Sequence, residues 1–252
     1  MFTRKNGILL VSALMFMALV FIGCSTDTDP EPDPWGTFVW QEEGNFELGT
    51  VTADIDGTDG RYKETPLGNL IADGIAEYTR HSSGEQVDFA LHNGQNLKVN
   101  KLSSGKITNA DISGTIGTDT LYLVSYTGEE ITTLINIFVN SNSNGKWNAN
   151  CIALVSKEVS YTILTGINPP IAANIKVNGS PIELAKTYRV AVGNFIGATT
   201  ADQNRFPEGT NKTDLGPTKL SEAVAQYIYV QGTISPPELG RITGTVPVIQ
   251  TN

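Results

Sequence analysis

The sequence predicts an α+β fold, a single domain in which a mixed β-sheet is flanked by helices. Helical and strand patterns are interspersed through the first half of the chain, whereas the second half holds several short strands and a hairpin signal. The chain has 252 residues, of which 40% are hydrophobic and 17% are charged. This is an ordinary globular composition, and the length is sufficient to bury a sizeable core without disulfide bonds.

The N-terminus has the pattern of a secretory signal. Arg4 and Lys5 precede an apolar run over residues 8–22, which is shorter than the ~20 residues of a membrane-spanning helix. Gly23-Cys24 then resembles the lipoprotein box of bacteria, in which the cysteine is acylated. We therefore expect a signal peptide over residues 1–23, lipidation at Cys24 and export of the rest of the chain. An uncleaved N-terminal anchor is the alternative.

The segment after Cys24 is expected to be a tether. Residues 25–34 consist of acidic residues, prolines and small polar residues, a composition typical of an extended chain. We assign residues 24–44 to the lipidated cysteine and this tether, with Trp35 and Trp40 beginning to dock, and residues 45–248 to the folded domain. The lipid would hold the protein on a bacterial membrane, on its periplasmic or surface side. If Cys24 carries the lipid, Cys151 has no disulfide partner, and its apolar surroundings predict a place in the core.

Three helices are predicted along the domain. Thr65-Pro66 marks the start of the first, with Thr as the N-cap and Pro at the first helical position. The second follows Thr127-Gly128, with two glutamates near its positive end, and the third is amphipathic over residues 220–228. Strands are expected at residues 48–55, 87–91, 121–126, 152–155, 161–164, 175–177 and 188–192.

Turns and loops separate these elements. Asn178-Gly179 is a hairpin turn signal. Residues 142–148 and 199–217 are polar, and both are predicted to be surface loops.

Charge and histidine content exclude several functions. The net charge of −9 makes the chain a poor candidate for binding a nucleic-acid backbone. His81 and His92 are the only two histidines, whereas a dinuclear metal hydrolase draws on several. The chain also lacks a nucleophile elbow, a phosphate loop and cysteine–histidine metal spacing. We expect no nucleic-acid partner, no cofactor, no metal site and no catalytic residue.

Six segments, in order, resemble the C-terminal domain of the 5′-nucleotidase family. The most specific is Glu64-Thr65-Pro66-Leu67-Gly68-Asn69-Leu70-Ile71-Ala72-Asp73, which resembles the first helix of that domain. The others are Leu48-Gly49-Thr50 with Asp54-Ile55-Asp56, residues 88–98, Gly105-Lys106-Ile107-Thr108, Tyr126-Thr127-Gly128-Glu129-Glu130-Ile131, and Pro237-Glu238-Leu239-Gly240-Arg241-Ile242. The resemblance covers about residues 45–248.

The resemblance implies a substrate-binding domain without the chemistry of its family. Family members pair this domain with an N-terminal metallophosphoesterase domain that holds two metals and hydrolyses the substrate. The Asp-x-His, Asn-His-Glu and Gly-His-x-His motifs of that domain are absent from these residues. We therefore expect no hydrolysis by this chain alone, and a separately encoded metallophosphoesterase as a partner.

The resemblance also implies a nucleoside or nucleotide site that is altered in this chain. Arg61 matches an arginine seven residues before the helix glycine, Phe195 matches the second of two base-stacking rings, and Asp202 stands one residue out of register for an aspartate. Asn93 and Gly94 match the glycine-rich loop. In that loop Gln95 and Asn96 replace glycines, Lys98 replaces an arginine, and the first ring falls at Ile116 or Gly117. His92 could either contact a ligand or cap the strand end.

Three hypotheses about function follow from these residues. The chain is a surface-anchored nucleotide- or nucleoside-binding domain acting with a separate metallophosphoesterase, a non-catalytic lipoprotein that binds another ligand, or a scaffold for surface interactions.

Overall fold

The computed structural model describes residues 33–36, 39–40, 45–140, 150–200 and 205–247. The helices are α1 (Pro66–Ser83), α2 (Asn109–Ser113), α3 (Gly128–Val139), α4 (Asn194–Gly197) and α5 (Leu220–Gln231). The strands are β1 (Glu47–Val51), β2 (Ile55–Asp56), β3 (Phe89–Asn93), β4 (Lys101–Leu102), β5 (Gly105–Thr108), β6 (Thr120–Thr127), β7 (Ala153–Val155), β8 (Val159–Leu164), β9 (Ile171–Val177), β10 (Ser180–Pro181), β11 (Thr187–Gly193), β12 (Thr210–Lys219), β13 (Thr233–Ile234) and β14 (Ile242–Thr243). Cys24 and the predicted loop at residues 142–148 lie outside the described residues.

A five-stranded mixed sheet organises the fold. Its strand order is β12-β6-β11-β3-β7, in which β11 and β3 are parallel and the other neighbours are antiparallel. Smaller sheets have the orders β13-β1-β5, β10-β9-β8-β14 and β2-β4. The predicted α+β class with a mixed sheet and flanking helices is confirmed.

The two faces of this central sheet pack against two hydrophobic clusters. Successive side chains of a strand point to opposite faces, and β3 follows this rule, since Phe89 and Leu91 join one cluster while Ala90 joins the other. The first cluster contains the buried faces of α3, β8 and β9, and the second contains those of α1, α5 and β1. Cys151 is fully buried in the first cluster, as predicted.

The starts of α1 and α3 are confirmed, and local capping explains them. The Thr65 hydroxyl accepts a hydrogen bond from the backbone N–H of Gly68 at 3.1 Å, and Pro66 opens α1. At α3, Thr127 and Glu130 form a reciprocal capping box. The predicted hairpin turn is also present, because Asn178 and Gly179 link β9 to β10 with positive φ angles of 51° and 77°.

Two predictions about strands are wrong. Residues 210–219 form β12 instead of part of a polar loop, because this edge strand pairs only with β6, with two register shifts, and carries no alternating apolar pattern. Residues 48–55 form two strands instead of one. The chain breaks between them because β1 pairs with β5 and β13, whereas β2 pairs with β4.

The described part of the N-terminal segment docks on the domain. The Trp35 ring stacks on His81 with 4.3 Å between ring centroids and 12° between planes, and Trp40 packs against the second cluster. Within the described residues, no helix combines the length and the apolar character needed to cross a membrane.

Candidate functional site

The carboxyl ends of two parallel strands meet at one edge of the central sheet. Ala191 of β11 lies opposite Ala90 of β3, so Gly193 reaches the level of His92. Loops at the carboxyl ends of parallel strands are the usual ligand sites of such sheets. The Asn93 loop and the Phe195 segment, predicted separately, therefore begin on neighbouring strands at the same edge. We call residues 93–98, 116–119, 150–152 and 193–195 the site edge.

Asn93 and Gly94 shape the loop that follows β3. The Asn93 side chain is 7% exposed, and its Oδ1 accepts hydrogen bonds from the Gln95 backbone N–H at 2.8 Å and the Cys151 Sγ at 3.3 Å. The Gly94 N–H donates to the carbonyl of Ile152 at 3.0 Å, and a Cβ at Gly94 would lie 2.8 Å from that oxygen. Glycine is therefore required here by close backbone approach, and Asn93 holds the loop in place.

The Asn96 side chain occupies the space beside Gly117. A Cβ at Gly117 would lie 2.1 Å from the Asn96 Oδ1, and the Asn96 Nδ2 donates to the Asp119 Oδ2 at 3.2 Å. Ile116, the other candidate position for the missing ring, is buried in the second cluster. Two departures from the family pattern therefore compensate each other in space. Asn96 has a side chain where the family has glycine, and it fills the space left by Gly117, which has none.

A lysine, a buried histidine and a partly buried aspartate lie near this loop. Lys98 is exposed, and its backbone N–H donates to the Thr115 carbonyl at 2.8 Å. Burial, together with the nearby Lys98 charge, lowers the pKa of His92 to about 3. Burial raises the pKa of Asp119, against the opposing effect of Lys98. Neither ring nitrogen of His92 has a hydrogen-bond partner among the described residues, so His92 is a neutral core residue in this structure and caps no strand end.

Arg61 lies beside the segment that pairs with the Asn93 loop. Its carbonyl accepts a hydrogen bond from the Ile152 N–H at 2.8 Å, and its Nε donates to the Asn150 carbonyl at 3.3 Å. Ile152 also accepts from Gly94. The backbone thus connects Arg61 to the site edge through one residue, and the Arg61 side chain remains exposed.

Phe195 is part of an aromatic row with an arginine on top. Its ring and that of Phe206 form a T-shaped pair with centroids 5.4 Å apart, and the Phe206 ring in turn lies 5.6 Å from that of Phe138. The guanidinium carbon of Arg205 lies 4.9 Å from the centroid of the Phe195 ring. Phe195 therefore places an aromatic ring at this edge, and a cation lies over that ring.

The structure brings most of the predicted residues to one region and adds others. Arg61, Asn93, Gly94 and Lys98 belong to one connected set, Phe195 follows the adjacent strand, and Asp202 lies outside the described residues. Sequence reasoning missed Asn96 as a contact of Gly117, as well as Asp119 and Arg205. No local pattern marks Asp119 or Arg205, because their positions depend on packing between distant segments. In the described part of the chain, no three or more His, Cys, Asp or Glu side chains are grouped so as to hold a metal ion.

The fold and the site edge together define a class of protein, an α+β domain with a mixed central sheet whose loops gather at the end of two parallel strands. Comparison with known families identifies the family within this class. The family model described as "5'-nucleotidase, C-terminal domain" matches residues 47–206, and the chain belongs to this family.

Relatives of known structure share the fold. The chain is similar to a 5′-nucleotidase precursor from Thermus thermophilus, with a TM-score of 0.64, 22% identity, and coverage of 79% of this chain and 39% of that one. It is also similar to the NAD nucleotidase of Haemophilus influenzae, with a TM-score of 0.60, 14% identity, and coverage of 79% and 38%.

A curated relative is similar in sequence. The trifunctional nucleotide phosphoesterase protein YfkN of Bacillus subtilis (strain 168) is 28% identical over 207 residues, which are 79% of this chain and 14% of that protein. The chain therefore spans about one seventh of this relative and about two fifths of the two solved structures.

Proposed function

We propose that this chain is a nucleoside- or nucleotide-binding domain whose ligand lies at the site edge. The observation that carries the proposal is the convergence of the Asn93 loop and the Phe195 segment at the ends of two parallel strands. The family match supports it, as do the names of the relatives, which describe proteins that act on nucleotides. Lys98 at the site edge and Arg61 beside it add exposed positive charge in an acidic protein.

The proposal also assigns hydrolysis to another protein. The described residues contain no metal-binding group, and the sequence contains none of the metallophosphoesterase motifs. This domain would hold the nucleoside portion of a substrate in nucleotide catabolism, and a separately encoded metallophosphoesterase would cleave it. Purified chain alone should then release no phosphate from AMP with added divalent metal. Metal-stimulated release that a point mutation in this chain abolishes would contradict this assignment.

Titration calorimetry with adenosine and AMP tests the binding proposal. Phe195→Ala should weaken binding by roughly 1–3 kcal/mol, the range for loss of one aromatic ring that contacts a base. Phe46→Ala is the matched control, because Phe46 is a partly exposed aromatic residue next to β1 and pairs with Tyr229 instead. Binding that is unchanged by Phe195→Ala would place the ligand elsewhere.

The protein is further proposed to be exported and lipid-anchored at Cys24. The support is the sequence pattern, in which a basic start and a short apolar run lead to Gly23-Cys24. A labelled acyl chain should be incorporated into the wild type and not into Cys24→Ala. A mature N-terminus at another residue would contradict the proposal.

A second candidate function is a non-catalytic lipoprotein that keeps the scaffold and binds a different ligand or partner. The packing of Asn96 against Gly117 favours it, because it fills the space in which the family resemblance implies an aromatic ring. If no common nucleoside or nucleotide binds at millimolar concentration, this second function replaces the first.

A further inference from the structure

Arg205 is a cation without a counter-ion among the described residues. Its guanidinium lies over the ring of Phe195, and within the described part of the chain it makes no hydrogen bond and no ion pair. The side chain is half-buried. The other well-placed arginines of the domain differ in this respect, since Arg80, Arg189 and Arg241 each pair with a carboxylate.

The ring beneath Arg205 limits how its donors can be used. A guanidinium stacked on an aromatic face is held by a cation–π contact, and its N–H groups lie in its own plane, around the rim. Phe195 is in turn fixed by Phe206, which is buried. The ring thus orients a planar set of five donors, and this fork matches two oxygens of a phosphate or carboxylate group.

The next cation along the chain after Arg205 is already engaged by other groups. The neighbouring cation, Lys212, is already engaged with the Thr199 carbonyl and lies 3.9 Å from Glu208. Arg205 is thus a half-buried cation in a chain whose net charge is −9.

We propose that Arg205, held in place by Phe195, binds the phosphoryl group of the ligand, so that the site prefers a nucleoside monophosphate to the uncharged nucleoside. The inference rests on the proposed function and makes it more specific. In this arrangement Phe195 acts as a positioning residue for Arg205, in addition to presenting apolar surface to the ligand.

Titration of the full chain with AMP, adenosine and inorganic phosphate tests the proposal. The wild type should bind AMP more tightly than adenosine, and Arg205→Ala should lower the AMP affinity by about ten- to a hundredfold while leaving adenosine binding nearly unchanged. Arg205→Lys, which keeps the charge and loses the planar fork, should fall between the two. Phe195→Leu should reduce the preference for AMP, because the guanidinium loses its support.

Lys106→Ala is the matched charge control. Lys106 is an exposed lysine of β5 that forms a surface ion pair with Glu47, so its removal changes the net charge by the same amount without touching the aromatic row. The AMP preference should survive this substitution. Added salt should weaken AMP binding and leave adenosine binding unaltered.

The negative outcomes separate the two proposals. Equal binding of AMP and adenosine, or an AMP preference unchanged by Arg205→Ala, overturns the role of Arg205 while the nucleoside site stands. Phosphate binding that depends on Arg205, without binding of either nucleoside compound, leaves Arg205 as an anion-binding residue and overturns both the nucleotide function and the preference for AMP. Absence of binding by all three compounds overturns both.

Discussion

Arg241 and Asp73 lie 168 residues apart in the sequence, yet the Arg241 guanidinium donates two hydrogen bonds of 2.7 Å, one to each oxygen of the Asp73 carboxylate. Both side chains are nearly buried, with 13% and 11% exposed. Nearby, the Glu64 carboxylate accepts from the backbone N–H groups of Gly240, Arg241 and Ile242. The first-helix segment and the terminal Gly-Arg-Ile segment, two of the six that resemble the family, therefore bind each other.

Breaking this pair is expected to destabilise the protein strongly. Arg241→Ala leaves the Asp73 carboxylate nearly buried without its bidentate partner, a situation that typically costs about 3–5 kcal/mol. Denaturant unfolding should show this loss. The double variant Asp73→Leu/Arg241→Met should recover much of it, because neither charge then remains buried. As a control, Lys106→Ala breaks an exposed pair and should cost no more than about 1 kcal/mol.

Stability should fall on mild acidification because of His92. Its pKa is about 3 in the folded protein, against the ordinary histidine value of 6.5 in the unfolded chain, so below pH 6.5 the unfolded chain binds a proton that the folded protein excludes. The stability that this pKa difference contributes is fully present above pH 6.5 and is lost as the pH falls from 6.5 toward 3. Between pH 7.5 and pH 5 the loss should be roughly 2 kcal/mol.

His92→Leu should remove this dependence, because it replaces an imidazole with two unpartnered nitrogens by an apolar side chain. Urea unfolding at the two pH values measures it. Lys98→Met should lessen the loss without removing it, since the Lys98 charge is the smaller of the two causes. If His92→Leu and the wild type lose the same stability between these pH values, another group is responsible.

The thiol of Cys151 should be unreactive in the folded protein. Burial raises its pKa to about 12, so almost no thiolate is present near neutral pH. In the Cys24→Ala background, iodoacetamide at pH 8 should modify Cys151 only after denaturant is added. Rapid modification of the folded chain, monitored by mass spectrometry, would show that the segment containing Cys151 opens readily.

The parts of the fold predicted correctly are those governed by local interactions. Thr65-Pro66 and the Thr127–Glu130 capping box define helix starts within four residues of sequence, and Asn178-Gly179 defines a turn within two. The strand β12 was missed because an edge strand with polar residues on both faces has no local hydrophobic period. Its existence depends on β6, a partner more than eighty residues earlier.

In the candidate site, too, some residues could be predicted from the sequence and others could not. Asn93, Gly94 and Phe195 follow from the family resemblance, because they occupy fixed places at the strand ends. The cation over Phe195 comes from a residue ten positions later in the chain, and nothing near Arg205 in the sequence indicates this contact. The contact between Asn96 and Gly117 likewise joins two loops, and only their shared geometry explains why one position gained a side chain where the other has none.

That contact leads to a prediction about restoring the ring. Gly117→Ala alone should destabilise the protein by roughly 1–3 kcal/mol, because the new Cβ would lie 2.1 Å from the Asn96 Oδ1. The conflict is with a side chain, and the backbone of Gly117 is outside the left-handed region, so Asn96→Gly should relieve it. A double-mutant cycle measured by denaturant unfolding tests this coupling.

The same pair allows a gain of function to be tested. Asn96→Gly combined with Gly117→Phe provides both the space and an aromatic ring at the position that the resemblance implies for base stacking. If the ring then faces a ligand opposite Phe195, affinity for adenosine should rise by roughly 1–3 kcal/mol in calorimetry. Asn96→Gly with Gly117→Leu is the matched control, since it adds apolar volume without a ring. An equal gain in this control would mean that apolar contact drives the effect, and no gain in either variant would mean that the loops hold the two faces too far apart for a base to lie between them.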